Sequence, residues 1–267
     1  PPAARGHCAL KFAARSSRLP AVPAALSSSA SPSIWVLVPC AGVGSRATRH
    51  DAEGQPLPKQ YRRLGHDTLV GHTLRALQQV SRIRATLLVV APGDTQAASL
   101  LAGRPVQIVA RGGETRAATV AQGLQCLAEL GAREHDWVLV HDAARCLVTP
   151  AQIDRLLDAC LDDAVGGLLA LPLPDTLKEE GDGRVARTLP RSGKWLAQTP
   201  QMFRLGLLRD ALSGAAAQGV EVTDESSAIE ALGLAPRLIE GSAQNFKVTY
   251  ASDFELAEAV LLARAAA

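Results

Sequence analysis

The stretch "IWVLVPCAGVGSR", residues 34–46, joins a continuous apolar run to a loop that carries two glycines and an arginine. Continuous rather than alternating apolar residues are typical of a strand that is buried on both faces of a mostly parallel sheet. Strands of the same kind are predicted at residues 85–91, 106–110, 136–142 and 165–173. Residues 69–80, 115–130 and 150–161 between them have helical spacing of apolar residues. The alternation predicts an α/β fold with a doubly wound, mostly parallel sheet and ligands at the strand ends.

The composition is that of an ordinary globular protein, with 47% hydrophobic and 20% charged residues among 267. Residues 1–33 hold four basic residues and no acidic one. Because the whole chain has a net charge of +2, residues 34–267 carry a net charge of −2. This balance argues against general nucleic-acid binding. No apolar run reaches the roughly 18 residues that span a membrane.

The first 33 residues are rich in Pro, Ala and Ser and show no periodicity of either kind. They contain Arg and Ser and no acids, as a targeting peptide does, but they lack the apolar segment of a secretory signal. We expect a disordered extension, followed by a single domain over residues 34–267. The five cysteines, at positions 8, 40, 126, 146 and 160, form no C-x-x-C motif. They favour free thiols in a reducing, cytoplasmic setting.

Residues 174–194 interrupt the alternation with a polar segment in which "EEGDGR" is typical of a hairpin turn. Two short strands are marginally stable by themselves. We therefore expect an arm that leaves the sheet and packs on a second subunit, which predicts a homodimer. A surface hairpin without a partner is the alternative.

The glycine loop "GVGSRA", residues 42–47, allows three interpretations. It fits the dinucleotide fingerprint of an NAD(P)-dependent oxidoreductase, but Pro56 and Pro58 interrupt the helix that this fingerprint requires. It is not a Walker A loop, because no G-K-[ST] follows the glycines. In the third interpretation, the backbone N–H groups at Gly42 and Gly44 face an anion, and Arg46 and Lys59 supply cations.

Polar or glycine motifs follow most of the other predicted elements as well. "ARGGETRAATV" (110–120) opens a helix with a glycine turn, and "VLVHDAARCLV" (138–148) ends a strand with Asp142. "TDESSAIEAL" (223–232) begins a helix with Thr223 or Asp224 as its cap. "NFKVT" (245–249) is predicted to place Lys247 in a short β-like run.

Over residues 34–264 the chain resembles the 2-C-methyl-D-erythritol 4-phosphate cytidylyltransferases. The motifs that carry the resemblance are "AGVGSR", "PKQY", "GGETR", "HDAAR", "DTLK", "TPQMF", "TDESSA" and "NFKVT". The resemblance implies a Rossmann-like nucleotidyltransferase that transfers a cytidylyl group from CTP to methylerythritol phosphate and releases pyrophosphate. That reaction belongs to the non-mevalonate route to isoprenoid precursors. It needs no general base, because the attacking phosphate is already largely dianionic.

The resemblance also implies roles for individual residues. The catalytic residues would be Arg46, Lys59 and Lys247. CTP would be bound by Ala41, Gly42, Gly44, Gly112, Gly113, Thr119, Asp142 and Ala143. The acceptor would be bound by Asp142, Arg145 and Thr199, with Thr176 and Arg191 reaching in from the partner's arm. Mg²⁺ would be carried by the CTP phosphates, and no metal site made by protein ligands alone is expected.

Three alternatives stay open. A cytidylyltransferase for another polyol phosphate, such as ribitol 5-phosphate, would share the residues that face CTP. The oxidoreductase is a more distant alternative. The presence of both Arg46 and Lys59 disfavours a binding protein without enzymatic activity.

Overall fold

The structure is a computed structural model that describes residues 31–42, 49–50 and 56–266, with the backbone alone at Arg49, His50 and Pro56. Gly44, Arg46 and most of the predicted N-terminal extension lie outside this range. Ser33, at the end of that predicted extension, donates its backbone N–H to Asp136 Oδ1 at 2.9 Å.

A seven-stranded sheet forms the centre of the fold. In chain order, the strands of the described part are β1 (Ile34–Cys40), β2 (Arg49–His50), β3 (Pro56–Leu57), β4 (Arg63–Leu64), β5 (Asp67–Thr68), β6 (Ile83–Val90), β7 (Gln107–Val109), β8 (Trp137–Val140), β9 (Gly166–Pro172), β10 (Leu177–Gly181), β11 (Arg184–Leu189), β12 (Trp195–Arg204) and β13 (Arg237–Glu240). The order of strands in the sheet is β13-β9-β12-β8-β1-β6-β7. Strand β1 pairs in parallel with β6 and with β8. Strands β6 and β7 also pair in parallel, and so do β9 and β13. Only β12 runs antiparallel to its two neighbours in this sheet, β8 and β9. The predicted α/β class is therefore confirmed.

Helices cover both faces of the sheet. They are α1 (Leu69–Gln78), α2 (Ala97–Leu100), α3 (Arg116–Glu129), α4 (Pro150–Cys160), α5 (Leu205–Ala217), α6 (Glu225–Ala231) and α7 (Ala251–Ala265). Val36 and Val38 of β1 pack in the same core cluster as α1 and α4, whereas Trp35 and Leu37 pack with α3 and α5. Both faces of β1 are therefore buried, which is why its sequence is continuously apolar.

The predicted helices lie where their caps place them. Thr149 caps α4 by accepting the backbone N–H of Gln152. Pro150 is the first helical residue of α4, a position that suits proline because it has no N–H to leave unpaired there. Asp224, and not Thr223, caps α6 by accepting the N–H of Ser227. The predicted β-like run at residues 245–249 is wrong: the segment forms no strand. It is attached instead by the Val248 N–H, which donates to the Ala144 carbonyl at 2.9 Å.

The predicted hairpin at residues 174–194 is present as β10 and β11. Asp182 and Gly183 form its turn with φ angles of 51° and 73°. Both central residues of a tight hairpin turn have positive φ, a conformation that Asp and Gly tolerate. Most side chains of the hairpin are exposed, including Val185 at 63%. Over the described ranges, no helix is long and apolar enough to cross a membrane.

Candidate active site

A cleft of about 270 Å³ opens at the carboxyl ends of β1 and β8 and at the start of α3. The predicted site residues that line it are Ala41, Gly42, Lys59, Gly113, Thr119, Asp142, Ala143 and Lys247. Strand ends of a parallel sheet meet at one edge, and this brings together residues that lie far apart in the chain. The cleft is therefore where the sequence-predicted residues converge.

Two lysines reach the cleft from different segments. Lys59 lies in a single 3₁₀ turn (Lys59–Tyr61), which Gln60 joins to β1 by donating Nε2–H to the Cys40 carbonyl at 3.0 Å. The Lys59 ammonium donates to the Val248 carbonyl at 2.6 Å. Lys247, which directly precedes Val248 in the chain, pairs with Asp142 Oδ2 at 2.8 Å. Two ammonium groups are thus held beside the same short segment.

Asp142 is the charged centre of the cleft. Its Oδ1 accepts from Arg116 Nε at 2.9 Å, and its Oδ2 pairs with Lys247 Nζ. Burial acts to raise the pKa of Asp142, but the charges of Arg116 and Lys247 outweigh it and hold the pKa well below its usual range. The carboxylate is therefore ionised, with a cation on each oxygen.

Arg116 and Glu225 form an ion pair at the cleft that sequence reasoning did not single out. Arg116 lines the cleft and donates from Nη1 and Nη2 to the two oxygens of Glu225, at 2.7 and 3.0 Å. Both residues stand in the motifs "GGETR" and "TDESSA". The motifs themselves were a signal, but no local pattern shows that two residues 109 positions apart form a pair.

The glycine turn ahead of α3 packs too tightly for any side chain. A Cβ on Gly112 would lie 2.2 Å from the Cβ of Ala41, and one on Gly113 would lie 2.6 Å from the Cβ of Ala118. Thr119 accepts the Gly113 N–H at 3.1 Å. Gly42 differs, since a Cβ there would meet no described atom within 4 Å. No described residue fills the space beside Gly42, and this suits a ligand that lies directly against the backbone.

A buried layer supports Asp142 from behind. Thr199 Oγ1 accepts the backbone N–H of Asp142 at 3.0 Å and lies 3.0 Å from His141 Nδ1. His141 Nε2 lies 3.2 Å from the Arg145 carbonyl, so the ring proton resides on Nε2. Burial lowers the pKa of His141 to about 4, and the ring is neutral near pH 7. Thr199 and His141 therefore set the position of the Asp142 backbone.

The other predicted acceptor-binding residues lie outside this cleft. Arg145 donates to the Asn245 carbonyl at 2.7 Å, and its Nε lies 4.0 Å from Asp142. Thr176 and Arg191 lie in the arm segment, where Arg191 donates to the Pro174 carbonyl. Neither arm residue lines the cleft of its own chain.

The residues of the cleft are not arranged as metal ligands. The described part of the chain contains no group of three or more His, Cys, Asp or Glu side chains that could hold a metal ion. Asp142, whose oxygens are both paired with cations, does not offer a vacant carboxylate.

The sequence matches the family IspD, 2-C-methyl-D-erythritol 4-phosphate cytidylyltransferase, over residues 34–263. It is 50% identical over 239 residues to the 2-C-methyl-D-erythritol 4-phosphate cytidylyltransferase of Paraburkholderia phytofirmans, covering 88% of this chain and 98% of that protein. It is 60% identical over 238 residues to the "Bifunctional enzyme IspD/IspF" of Albidiferax ferrireducens. That match covers 89% of this chain but only 55% of the bifunctional protein.

Solved structures agree with the sequence matches. The crystal structure of a 4-diphosphocytidyl-2C-methyl-D-erythritol synthase superposes with a TM-score of 0.76 at 39% identity, covering 87% of this chain and all of the other. The Thermus thermophilus 2-C-methyl-D-erythritol 4-phosphate cytidylyltransferase superposes with a TM-score of 0.70 at 33% identity, covering 85% and 98% of the two chains. With the family matched over nearly all described residues, the chain belongs to the IspD family of 2-C-methyl-D-erythritol 4-phosphate cytidylyltransferases.

Proposed function

We propose that this chain transfers the cytidylyl group of CTP to 2-C-methyl-D-erythritol 4-phosphate and releases pyrophosphate. The observation that carries the proposal is the convergence of Lys59 and Lys247 on one cleft beside the open backbone at Gly42. Cations beside an exposed backbone suit a ligand that presents phosphates. Family membership supports the same reaction.

The chemical step joins two anions. A phosphate oxygen of the acceptor attacks the α-phosphorus of CTP, and the bond from that phosphorus to the bridging oxygen of pyrophosphate breaks. At about 4 Å each pair of unit charges repels by about 1 kcal/mol in water and by more in a drier site. The acceptor phosphate is already ionised, so the barrier lies in bringing the anions together. Positioning and charge neutralisation are what the protein must supply.

The lysines have different tasks in this scheme. Lys59 holds the triphosphate and neutralises charge that builds up at the α-phosphate, a task that Arg46 shares from the neighbouring loop. Lys247 turns from Asp142 towards the acceptor phosphate, since a dianion attracts it more strongly than one paired carboxylate does. Asp142 accepts hydrogen bonds from hydroxyl groups of the substrates, Thr199 and Arg145 lie behind it, and Ala143 borders the ribose.

The nucleoside is held mainly by the backbone. The backbone at Ala41 and Gly42 lies under CTP, and the turn at Gly112 and Gly113 receives cytosine together with Thr119. The close contact between Gly112 and Ala41 supports this assignment, because it holds the two loops at a fixed distance. The family resemblance assigns Gly44 to CTP as well.

Magnesium is brought by the nucleotide in this proposal. The ion prefers phosphate oxygens and water, and Asp142, the buried carboxylate of the cleft, is already paired with Arg116 and Lys247. When bound, Mg²⁺ would neutralise part of the triphosphate charge. The protein's own contribution is to hold the phosphates with Lys59 and Lys247.

A second copy of the chain completes the site. The hairpin β10–β11 projects with most of its side chains exposed, and Trp195 and Leu196 at its base are 39% and 46% exposed. Apolar exposure on an isolated hairpin is typical of a surface that another subunit covers. Thr176 and Arg191 would then reach the partner's acceptor phosphate, which a guanidinium binds by paired hydrogen bonds.

The four described cysteines are free and buried, which fits a reducing compartment such as the cytoplasm.

The test is pyrophosphate release by the purified protein with CTP and Mg²⁺. Methylerythritol phosphate and ribitol 5-phosphate are supplied in parallel as acceptors. We expect release with methylerythritol phosphate at a kcat/KM at least tenfold above that with ribitol 5-phosphate. Equal or higher efficiency with ribitol 5-phosphate would refute the assigned acceptor, and no release with either would refute the reaction.

A further inference from the structure

A chain of charged groups runs from the cleft to a buried carboxylate behind it. Lys247 pairs with Asp142, Asp142 accepts from Arg116, and Arg116 donates from both of its terminal nitrogens to Glu225. Glu225 is 1% exposed and does not line the cleft, whereas the Arg116 side chain is 27% exposed and does. The hydrogen-bonded contact through which Glu225 can affect a bound substrate is therefore the one with Arg116.

Capping of the two helices does not account for this pair. Asp224 caps α6 by accepting from Ser227, so the neighbouring Glu225 is not needed as the cap. Thr115 caps α3 by accepting from Ala118, which leaves the Arg116 side chain to cross the cleft wall. Both side chains are thus available for a contact between α3 and α6.

The backbone at Glu225 is itself attached to the central sheet. Gln201 of β12 donates from Nε2 to Asp224 at 2.9 Å and accepts the Ser226 N–H at 2.8 Å. These two bonds lie on either side of Glu225 and hold its backbone. A carboxylate in a fixed place holds a guanidinium in a fixed place, because the two planar groups bind by a pair of parallel hydrogen bonds.

The charge of Glu225 decides how Arg116 uses its donors. Burial raises the pKa of Glu225 and the charge of Arg116 acts against that rise. In the structure the two terminal nitrogens of Arg116 bind Glu225, and its Nε reaches Asp142 Oδ1. Without that pairing the guanidinium would turn its terminal nitrogens to Asp142, the other carboxylate that it contacts in the structure, and take both oxygens. Oδ2, which now faces Lys247, would then be lost to a substrate hydroxyl.

We infer that Glu225 is a positioning residue for the acceptor: it holds Arg116 side-on to Asp142, so that Asp142 Oδ2 becomes available to the polyol once Lys247 turns to the acceptor phosphate. The inference rests on the proposed function. CTP is held mainly through the backbone near Gly42 and Gly113, so the effect of Glu225 falls on the acceptor.

The experiment is steady-state kinetics of pyrophosphate release by the Glu225→Gln variant, with each substrate varied in turn. We expect KM for methylerythritol phosphate to rise about tenfold, the lower range for a lost hydrogen bond to a charged group, and KM for CTP to change less than threefold. Glu129→Gln is the matched control. Glu129 lies on α3 and accepts from Arg111 on the exposed surface, and wild-type values are expected for its variant.

A double-mutant cycle separates positioning from a merely structural role. Arg116→Lys cannot bridge both carboxylates, and we expect it to raise the acceptor KM in the same selective way. Adding Glu225→Gln to Arg116→Lys should lower kcat/KM no further, because Glu225 acts through Arg116. If Glu225→Gln does not fold, Glu225→Asp replaces it, since the shorter side chain draws the carboxylate back from Arg116.

Several outcomes would overturn the inference: an unchanged acceptor KM, an equal rise in both KM values, or losses that multiply in the double variant. The Arg116 Nε–H resonance in NMR spectra without substrate tests the contact separately. Glu225→Gln should shift it and Glu129→Gln should not, and an unshifted signal would also overturn the inference. A wild-type protein that releases no pyrophosphate would refute the proposed function, while the NMR comparison still decides the Arg116–Glu225 contact.

Discussion

Mild acid is expected to destabilise the fold through His141. The ring is fully buried, with Nδ1 next to the Thr199 hydroxyl and Nε2 next to the Arg145 carbonyl. Burial lowers its pKa from the ordinary 6.5 to about 4. Asp142 and the hydrogen bond to the Arg145 carbonyl act to raise this pKa, whereas the charges of Arg145 and Arg116 act to lower it. The protein therefore folds around a neutral imidazole.

The sign and size of the effect follow from proton linkage. The unfolded chain binds a proton at His141 as the pH falls through about 6.5, but the folded protein binds one only near 4. The stabilisation is thus present above pH 6.5 and is lost between 6.5 and 4. From pH 7 to pH 5 the free energy of unfolding should fall by about 2 kcal/mol on account of this one group. That is a large part of a typical total of about 5–15 kcal/mol.

Urea unfolding at pH 7, 6 and 5 measures this loss, with His141→Asn as the comparison. The variant loses the packing of the buried imidazole and should therefore be less stable than wild type at pH 7. Because the asparagine does not titrate, the difference in unfolding free energy should shrink by about 2 kcal/mol at pH 5. His72, whose pKa burial also lowers, contributes equally to wild type and His141→Asn. Parallel stability curves for wild type and His141→Asn would refute the reasoning.

Three further predictions concern the cleft and the arm. Lys59→Ala should lower kcat about 100-fold while the Kd for CTP, from calorimetry, changes less than tenfold, because the lysine acts mainly on transition-state charge; unchanged kcat with a raised KM would reassign it to ground-state binding. Gly112→Ala should cost about 1–3 kcal/mol in urea unfolding and raise KM for CTP, because the new Cβ would lie 2.2 Å from that of Ala41; wild-type values for both would contradict the tight contact. Arg191→Ala should raise KM for the acceptor alone. Dimers that combine one Arg191→Ala subunit with one Lys59→Ala subunit should recover up to about half of wild-type activity, because one of their two sites carries neither defect. No recovery after proven subunit exchange would place Arg191 outside the partner's site.

Local patterns were enough to predict much of the fold. The run "IWVLV" is buried on both faces, and its composition alone predicts a strand in the middle of a parallel sheet. Thr149 and Pro150 define the start of α4 within two residues. Asp182 and Gly183 make the hairpin turn that "EEGDGR" predicts. Such signals are encoded within a few residues, because they depend on backbone dihedral angles and on side chains that satisfy nearby N–H groups.

The strand-end motif predicted Asp142 at the edge of the sheet, whereas the family resemblance implied that Lys59 and Lys247 act in the same site, and the structure brings all three into one cleft. The tertiary structure alone decided the rest. It inserted β12 antiparallel between β8 and β9, it left residues 245–249 without a strand, and it paired Arg116 with Glu225. These features join segments far apart in the chain. Neither periodicity nor capping patterns extend that far, and the contacts exist only once packing has brought the strand ends together.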